Sequence, residues 1–258
     1  MKRLYIAVVS ALLLLSCSDK GNRVVGTLSD VAFIAHAGGS IGGLAMTNSM
    51  EALYAARDKG YKYIELDLQF TSDSVLVAMH DWAEYNMAVG QEERGDSAPS
   101  FAELSSRGLP NGFTLLTHSD IYDFFIANDS ICFVTDKISN PDILDNFFPG
   151  LESRMLVEAF SYKDYVALHE RGYRYVTYSC MAEDVATASL KHILFSALFP
   201  GQRIDKLALH TSAFDYIYMK LLLTLFDFEI SLFTINRIDE IPEVAFAGLK
   251  YIYTDALY

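Results

Sequence analysis

Residues 64–80 read IELDLQFTSDSVLVAMH, and the alternation in this stretch decides what the chain can be. Ile64, Leu66 and Leu68 alternate with Glu65, Asp67 and Gln69, so a strand here puts three apolar side chains on one face and two carboxylates on the other. Strand residues two apart lie roughly 6.6 Å apart, close enough for both carboxylates to reach one hard cation. Thr71-Ser72-Asp73-Ser74 has turn chemistry, and residues 75–79 form a second apolar run that ends in His80-Asp81-Trp82. A parallel crossover needs about a dozen residues or more, so this link dictates an antiparallel hairpin that folds His80 back toward the carboxylate pair. Acids alternating with leucines also describe the wet face of an ordinary strand, and the reading as a site needs a second element.

That element lies upstream. Residues 32–37 (AFIAHA) form a short apolar strand carrying His36, which runs into Gly38-Gly39-Ser40-Ile41-Gly42-Gly43, a loop whose backbone can approach a ligand closely. Downstream, residues 131–135, 155–160, 174–179, 206–210, 231–235 and 250–254 read as strands, separated by helical runs such as 161–171 and 182–199. A helix over 119–128 is capped by Ser119 or Asp120. With 32–36 and 63–70 the strands number eight, which predicts an α/β fold: a single (β/α)8 TIM barrel with an antiparallel hairpin insertion after the second strand. Barrel chemistry sits at the C-terminal ends of strands, where His36, Glu65, Asp67 and Asp136 fall. Glu158, Tyr178, His210 and Asn236 fall at such ends too and are expected to line the pocket, Glu158 as the best fourth ligand or metal neighbour. His118, His169 and His192 lie before or within helices, where a structural role is the default.

His36-Ala37-Gly38-Gly39, Thr47-Asn48-Ser49 followed by Glu51-Ala52, Glu65-Leu66-Asp67, Thr71-Ser72-Asp73 and His80-Asp81 together resemble the glycerophosphodiester phosphodiesterase family. That family shares its barrel and general chemistry with phosphatidylinositol-specific phospholipases C and spider-venom sphingomyelinase D-type enzymes. The spacings, 29 residues from His36 to Glu65 and 15 from Glu65 to His80, match the family's. Weaker echoes follow in Thr135-Asp136-Lys137, Thr234-Ile235-Asn236 and Tyr253-Thr254-Asp255, so the resemblance runs from Ala32 to Leu257. It implies metal ligation by Glu65, Asp67 and Asp136, catalysis by His36 and His80, and substrate contacts from Lys137 and Asn48. Three departures bear on the substrate. Ala37 stands where the family usually has Arg, Met46-Thr47-Asn48-Ser49 where it has Pro-Glu-Asn-Thr, and Asp136 directly precedes Lys137 where it has Glu-x-Lys. One phosphate-binding guanidinium is thereby lost, and Lys137 becomes the main protein cation expected near phosphate.

Residues 1–17, MKRLYIAVVSALLLLSC, have the charge and length of a secretory signal, and Leu14-Leu15-Ser16-Cys17 resembles a bacterial lipoprotein box with Cys17 as the lipidated residue. Residues 18–30 read as a tether, and 31–258 as the phosphodiesterase barrel on a membrane surface of the cell envelope. A 52% apolar composition is ample for one core. Without Lys2 and Arg3 the chain carries 18 basic and 33 acidic residues, a balance that excludes a nucleic-acid strand as partner and leaves an anionic ligand dependent on local cations. Cys132 and Cys180 sit in apolar strand-like runs and are expected as buried thiols, with no zinc spacing. Residues 82–111 look irregular, as a functional loop or lid, or equally a decorative surface insertion, would. Residues 214–228 (FDYIYMKLLLTLFDF) are apolar almost all round: a buried helix, or together with 194–199 a segment dipping into the membrane.

The expected chemistry follows from the donor set. Carboxylates with no Cys or imidazole among them favour Ca²⁺ or Mg²⁺ over zinc. Two imidazoles, titrating near neutrality, suit one proton removal and one proton delivery in phosphodiester cleavage. A small-molecule or lipid phosphodiester is the expected substrate. The alternatives are a lyase that leaves a cyclic phosphate and a barrel that binds its ligand without turnover.

Overall fold

The structure is a computed structural model, and it describes residues 30–180, 193, 196, 203–215, 217–245 and 248–256. The lipoprotein signal with Cys17, the tether up to residue 29, the expected helix over 182–199 with most of its membrane-dipping segment, and His192 fall outside these residues.

Eight parallel strands close into a barrel: β1 (Ala32–Ala35), β2 (Tyr63–Phe70), β4 (Cys132–Asp136), β5 (Met155–Ala159), β6 (Tyr175–Cys180), β7 (Lys206–His210), β8 (Glu229–Phe233) and β9 (Leu249–Thr254). Closure is made by β1, whose Ala35 sits opposite Ile64 of β2 on one side and Thr254 of β9 on the other. The ninth strand, β3 (Leu76–Ala78), lies outside the ring and pairs antiparallel with the end of β2, Leu68 opposite Ala78 and Phe70 opposite Leu76. The predicted barrel and hairpin are therefore both present.

The period-2 alternation of β2 sorts its side chains as a barrel requires. Ile64, Leu66 and Leu68 are fully buried on the outer face, in the core shared with the surrounding helices. Glu65 and Asp67 point inward and are each 1% exposed, so this is not the wet face of an open sheet. The hairpin turn is set by local polar chemistry. Thr71 Oγ1 donates to Asp73 Oδ1 at 2.7 Å and accepts from Val75 N at 3.0 Å, and Ser74 takes a left-handed φ of 65°.

Residues 82–111 are more ordered than their sequence suggests. Asp81 caps α2 (Trp82–Ala88) by accepting from Glu84 N, and a Ser100/Glu103 capping box opens α3 (Phe101–Arg107). Val77, Met79, Trp82, Tyr85, Leu104 and Leu109 form their own small core on the outer side of the hairpin. Seven-residue helices are too short to show a periodicity, which is why the insertion reads as a loop.

The other α-helices named among the described residues are α1 (Met50–Asp58), α4 (His118–Ala127), α5 (Pro141–Phe147), α6 (Tyr162–Glu170) and α7 (Ile217–Leu225). The cap of α4 is Thr117 in a box with Asp120, which displaces the expected Ser119 or Asp120 because a capping residue must precede the helix and Asp120 serves as its partner inside. Met219, Leu222 and Leu223 of α7 are buried in the main core beside Phe214 and Phe228, in keeping with a buried helix. No helix among the described residues is long and apolar enough to cross a membrane. Both described cysteines stand outside any disulfide, Cys180 buried and Cys132 half-buried at the start of β4.

Candidate active site

The C-terminal ends of the strands surround a cavity of about 310 Å³ that brings His36, Glu65, Asp67, His80, Asp136 and Lys137 together. Each carboxylate comes from an inward position of its strand. Asp67 and Asp136 are directly paired in the β2–β4 register, which sets their side chains next to one another. One carboxylate oxygen from each of Glu65, Asp67 and Asp136 lies within 4.8 Å of the others.

The first of these acids is oriented by a backbone turn. After β1 the chain enters a left-handed conformation at Ala37 (φ 47°), and its N–H donates to Glu65 Oε2 at 2.7 Å. Gly38 follows at φ 82°, where an added Cβ would come within 3.1 Å of the Ala52 Cβ. Glycine is required there both for the conformation and for the approach of α1. The other oxygen, Glu65 Oε1, is buried without a hydrogen-bond partner.

Asp67 is gripped by Asn48, whose Nδ2 donates to Asp67 Oδ2 at 2.8 Å while its Oδ1 accepts from Asp67 N at 3.0 Å. Asn48 is only 2% exposed. Both ends of its amide are thus engaged with Asp67, which makes it a positioning group for that acid; the substrate contact expected of it is not what its hydrogen bonds serve. Asp136 Oδ1 accepts from the N–H of Lys137 at 2.6 Å, in a left-handed turn with Lys137 at φ 68°. The same turn folds Lys137 inward, its Nζ 3.8 Å from Asp67 Oδ1.

Burial and mutual repulsion govern the ionisation of this cluster. Burial, then the neighbouring Asp67 and Asp136, push Glu65 well above the ordinary carboxylate range. Burial and Asp67 raise Asp136 to about 6. Glu158, 4% exposed at the end of β5, is pushed up to about 8 by burial and by Asp136, with Tyr253 and Ser179 favouring its charged form. A divalent cation fits this donor set: an unpartnered buried oxygen, three converging carboxylates, and a local negative charge that Lys137 faces.

The two histidines are each held through Nδ1 by an acid. His36 Nδ1 lies 2.8 Å from Asp255 Oδ1 and 3.3 Å from Thr234 Oγ1. Asp255 is itself tied down, accepting from Asn236 Nδ2 at 3.0 Å while its N–H donates to Asn236 Oδ1 at 2.9 Å. Burial works against the Asp255 charge, but the hydrogen bonds from His36 and Asn236 outweigh it and hold the carboxyl below its usual range. His80 Nδ1 lies 3.0 Å from Glu84 Oε2, one turn along in α2, and Gln69 fixes the hairpin end by donating to His80 O at 2.7 Å.

Of the four strand-end residues expected to line the pocket, Glu158 does so. Tyr178 is turned the other way, 2% exposed in the outer core with its ring 6.1 Å from Tyr165, because inward positions on β6 are odd-numbered and Ser179 takes the place in the cavity. His210 stands at the exposed rim with Nδ1 2.7 Å from Ser212 Oγ. Asn236 supports Asp255 from behind instead of lining the cavity. His118 and His169 have structural settings, packed edge-on against Phe147 and Tyr165. Sequence reasoning missed the roles of Asp255, Glu84 and Thr234. Asp255 could have been found as an acid at the very end of the last strand; Glu84 could not, since its pairing depends on a helix too short to foresee.

A family model described as the glycerophosphoryl diester phosphodiesterase family matches residues 37–130. That span holds Asn48, Glu65, Asp67, His80 and Glu84, and excludes His36, Asp136, Lys137 and Asp255. No curated protein matches the chain. Among solved structures, a glycerophosphodiester phosphodiesterase from Thermotoga maritima superposes with a TM-score of 0.67 at 18% identity, covering 88% of this chain and 95% of that one. One from Parabacteroides distasonis gives 0.60 at 18% identity, covering 88% and 93%. A phosphodiesterase from Oleispira antarctica, in complex with the product sn-glycerol-3-phosphate, gives 0.57 at 19% identity, covering 87% and 92%. The chain thus shares its barrel with these enzymes over nearly its full described length, and its sequence matches the family model over the part that carries the β2–β3 hairpin.

Proposed function

We propose that this chain is a phosphodiesterase that cleaves glycerophosphodiesters, with Ca²⁺ or Mg²⁺ held by Glu65, Asp67 and Asp136 and with His36 and His80 moving the protons. The observation that carries the reading is the meeting, in one cavity, of three carboxylates within 4.8 Å and two imidazoles whose Nδ1 atoms face acids. Bound there, a divalent cation supplies Lewis-acid stabilisation of the charge that grows on a phosphoryl oxygen. The family match and the product named for the Oleispira enzyme support the glycerophosphodiester as substrate class.

The rest is done by side chains. An acid at Nδ1 favours a proton on that nitrogen and leaves Nε2 for exchange with substrate. One imidazole takes the proton of the attacking water, or of a neighbouring hydroxyl of the diester. The other gives a proton to the departing alkoxide. Lys137, 3.8 Å from Asp67, is placed to accompany the phosphate where Ala37 offers no guanidinium. A barrel that merely binds its ligand would have no use for two acid-supported imidazoles.

The test is release of glycerol phosphate from glycerophosphocholine by the soluble chain from Ser18, with Ca²⁺, Mg²⁺ or chelator, beside His36→Ala and His80→Ala. Turnover is expected to need the cation and to drop by about 10²–10⁴-fold in each variant. Cation-independent turnover, or a variant as active as the wild type, overturns the assignment. Product analysis separates hydrolysis from release of a cyclic phosphate.

A further inference from the structure

Lys137 follows Asp136 directly, and on an extended strand an immediate neighbour points to the opposite face. Here β4 ends at Asp136 and the chain turns left-handed at Lys137 (φ 68°), a conformation that costs a lysine energy and that the bond from its N–H to Asp136 Oδ1 helps to hold. The turn returns the side chain to the inner face, where it lines the cavity and brings Nζ to 3.8 Å from Asp67 Oδ1. The Lys137 side chain is 31% exposed and that of Asp67 1%, so the ammonium has room to leave and the carboxylate has none.

Asp67 offers this ammonium one particular oxygen. Its Oδ2 accepts from Asn48 Nδ2 at 2.8 Å, which fixes the carboxylate and leaves Oδ1 facing Lys137. Lys137 also favours the charged form of Asp136, against the repulsion from Asp67. One ammonium thus acts on two of the three acids whose oxygens converge. A positive charge in that position does part of the work of a divalent cation, and it also repels one from the same oxygen.

We propose that Lys137 is an exchangeable counter-charge: it neutralises Asp67 when no divalent cation is bound, yields Asp67 to the cation, and then turns its ammonium to the substrate phosphate. The proposal deepens the phosphodiesterase reading above and rests on it. Because the side chain already lines the cavity, the released ammonium reaches a phosphate there by rotation about its own bonds, with no movement of the backbone. Lysine keeps its charge throughout, so no proton is exchanged. A phosphate that draws Lys137 away from Asp67 removes the competitor, and by reciprocity it tightens the cation by the factor by which the cation tightens the phosphate. Lys137 thereby sets two quantities, the cation affinity of the resting protein and the coupling between cation and phosphate.

The test titrates the metal-free protein with Ca²⁺ by calorimetry, alone and with saturating sn-glycerol 3-phosphate, in the wild type, Lys137→Met and Lys137→Arg, with thermal unfolding to show that each is folded. Methionine keeps most of the lysine stem and removes the charge, while arginine keeps the charge. Lys137→Met is expected to bind Ca²⁺ about tenfold more tightly than the wild type, and Lys137→Arg to stay within about threefold of it. Glycerol phosphate is expected to tighten Ca²⁺ in the wild type and to lose most of that effect in Lys137→Met. Unchanged Ca²⁺ affinity in Lys137→Met means that the ammonium does not contend for Asp67, and weaker affinity means that it props the site; either overturns the proposal. Glycerol phosphate that tightens Ca²⁺ in neither protein, or equally in both, overturns it too. The readings separate without ambiguity. The expected binding pattern without turnover of glycerophosphocholine retains the exchange and removes the phosphodiesterase, turnover with Ca²⁺ binding indifferent to Lys137 removes the exchange alone, and a folded wild type that binds no Ca²⁺ removes both.

Discussion

His36 and His80 face one cavity with the same local device, a carboxylate at Nδ1, yet the two devices are built from different material. His36 is 17% exposed and its Asp255 partner 20%, both behind a network that runs through Asn236 and Thr254 to the end of the last strand. His80 is 36% exposed, and its partner Glu84 is 70% exposed on the outward turn of a seven-residue helix. A part-buried pair has less water at hand to replace a lost partner than an exposed one has. The same difference separates the barrel, which fixes its groups by register, from the hairpin insertion, which fixes them by a turn and two caps.

The comparison predicts unequal costs. Asp255→Asn keeps the shape but removes the charge behind His36, and kcat is expected to fall by about 10²-fold or more, toward the full acid–base contribution. Asn48→Ala strips Asp67 of both its amide bonds and is expected to weaken cation binding by about 10–100-fold, read by calorimetry, as loss of a ligand's supporting shell does. Glu84→Gln breaks only an exposed pair worth about 0–1 kcal/mol, so kcat changes by no more than about fivefold. Equal losses in Asp255→Asn and Glu84→Gln would break the comparison, and a larger loss in the second would reverse it.

A pH experiment sharpens the same contrast on the acid side. Asp136 at about 6 and Glu158 at about 8 are raised on folding, chiefly by burial, as is Glu65. A group raised on folding stabilises the fold below its unfolded value of about 4, and that contribution is lost as pH rises through the folded value. With chelator, Tm should therefore fall between about pH 5 and pH 8.5. Saturating Ca²⁺ or Mg²⁺ should flatten the slope by binding the ionised forms. A chelated protein with no such slope means that these acids are not the buried, mutually repelling set described.

Much of the barrel and the heart of the site were legible in the sequence because both follow from period-2 patterning. Ile64, Leu66 and Leu68 against Glu65 and Asp67 encode which face is core and which is cavity, and β7 and β2 have the bounds that the pattern predicts. Tyr178 went the wrong way for the same reason: a strand end one residue off exchanges inward and outward positions, and Ser179 holds the place in the cavity. The pairings within the supporting shell were not legible, even where a member such as Asp255 stood at a strand end. Asn236 and Asp255 meet across the ends of β8 and β9, and Glu84 reaches His80 only once Asp81 has capped α2. Such pairings depend on tertiary closure and on short helices, neither of which leaves a periodic signal.

The most direct test is calorimetric titration of the metal-free soluble chain with Ca²⁺ and with Mg²⁺ at pH 7.5, beside Asp67→Asn, with thermal unfolding of both to show that each is folded. One saturable site in the wild type that is lost in a folded Asp67→Asn is the predicted result. Equal binding by the two proteins, or none by the folded wild type, would contradict a cation centre at Glu65, Asp67 and Asp136.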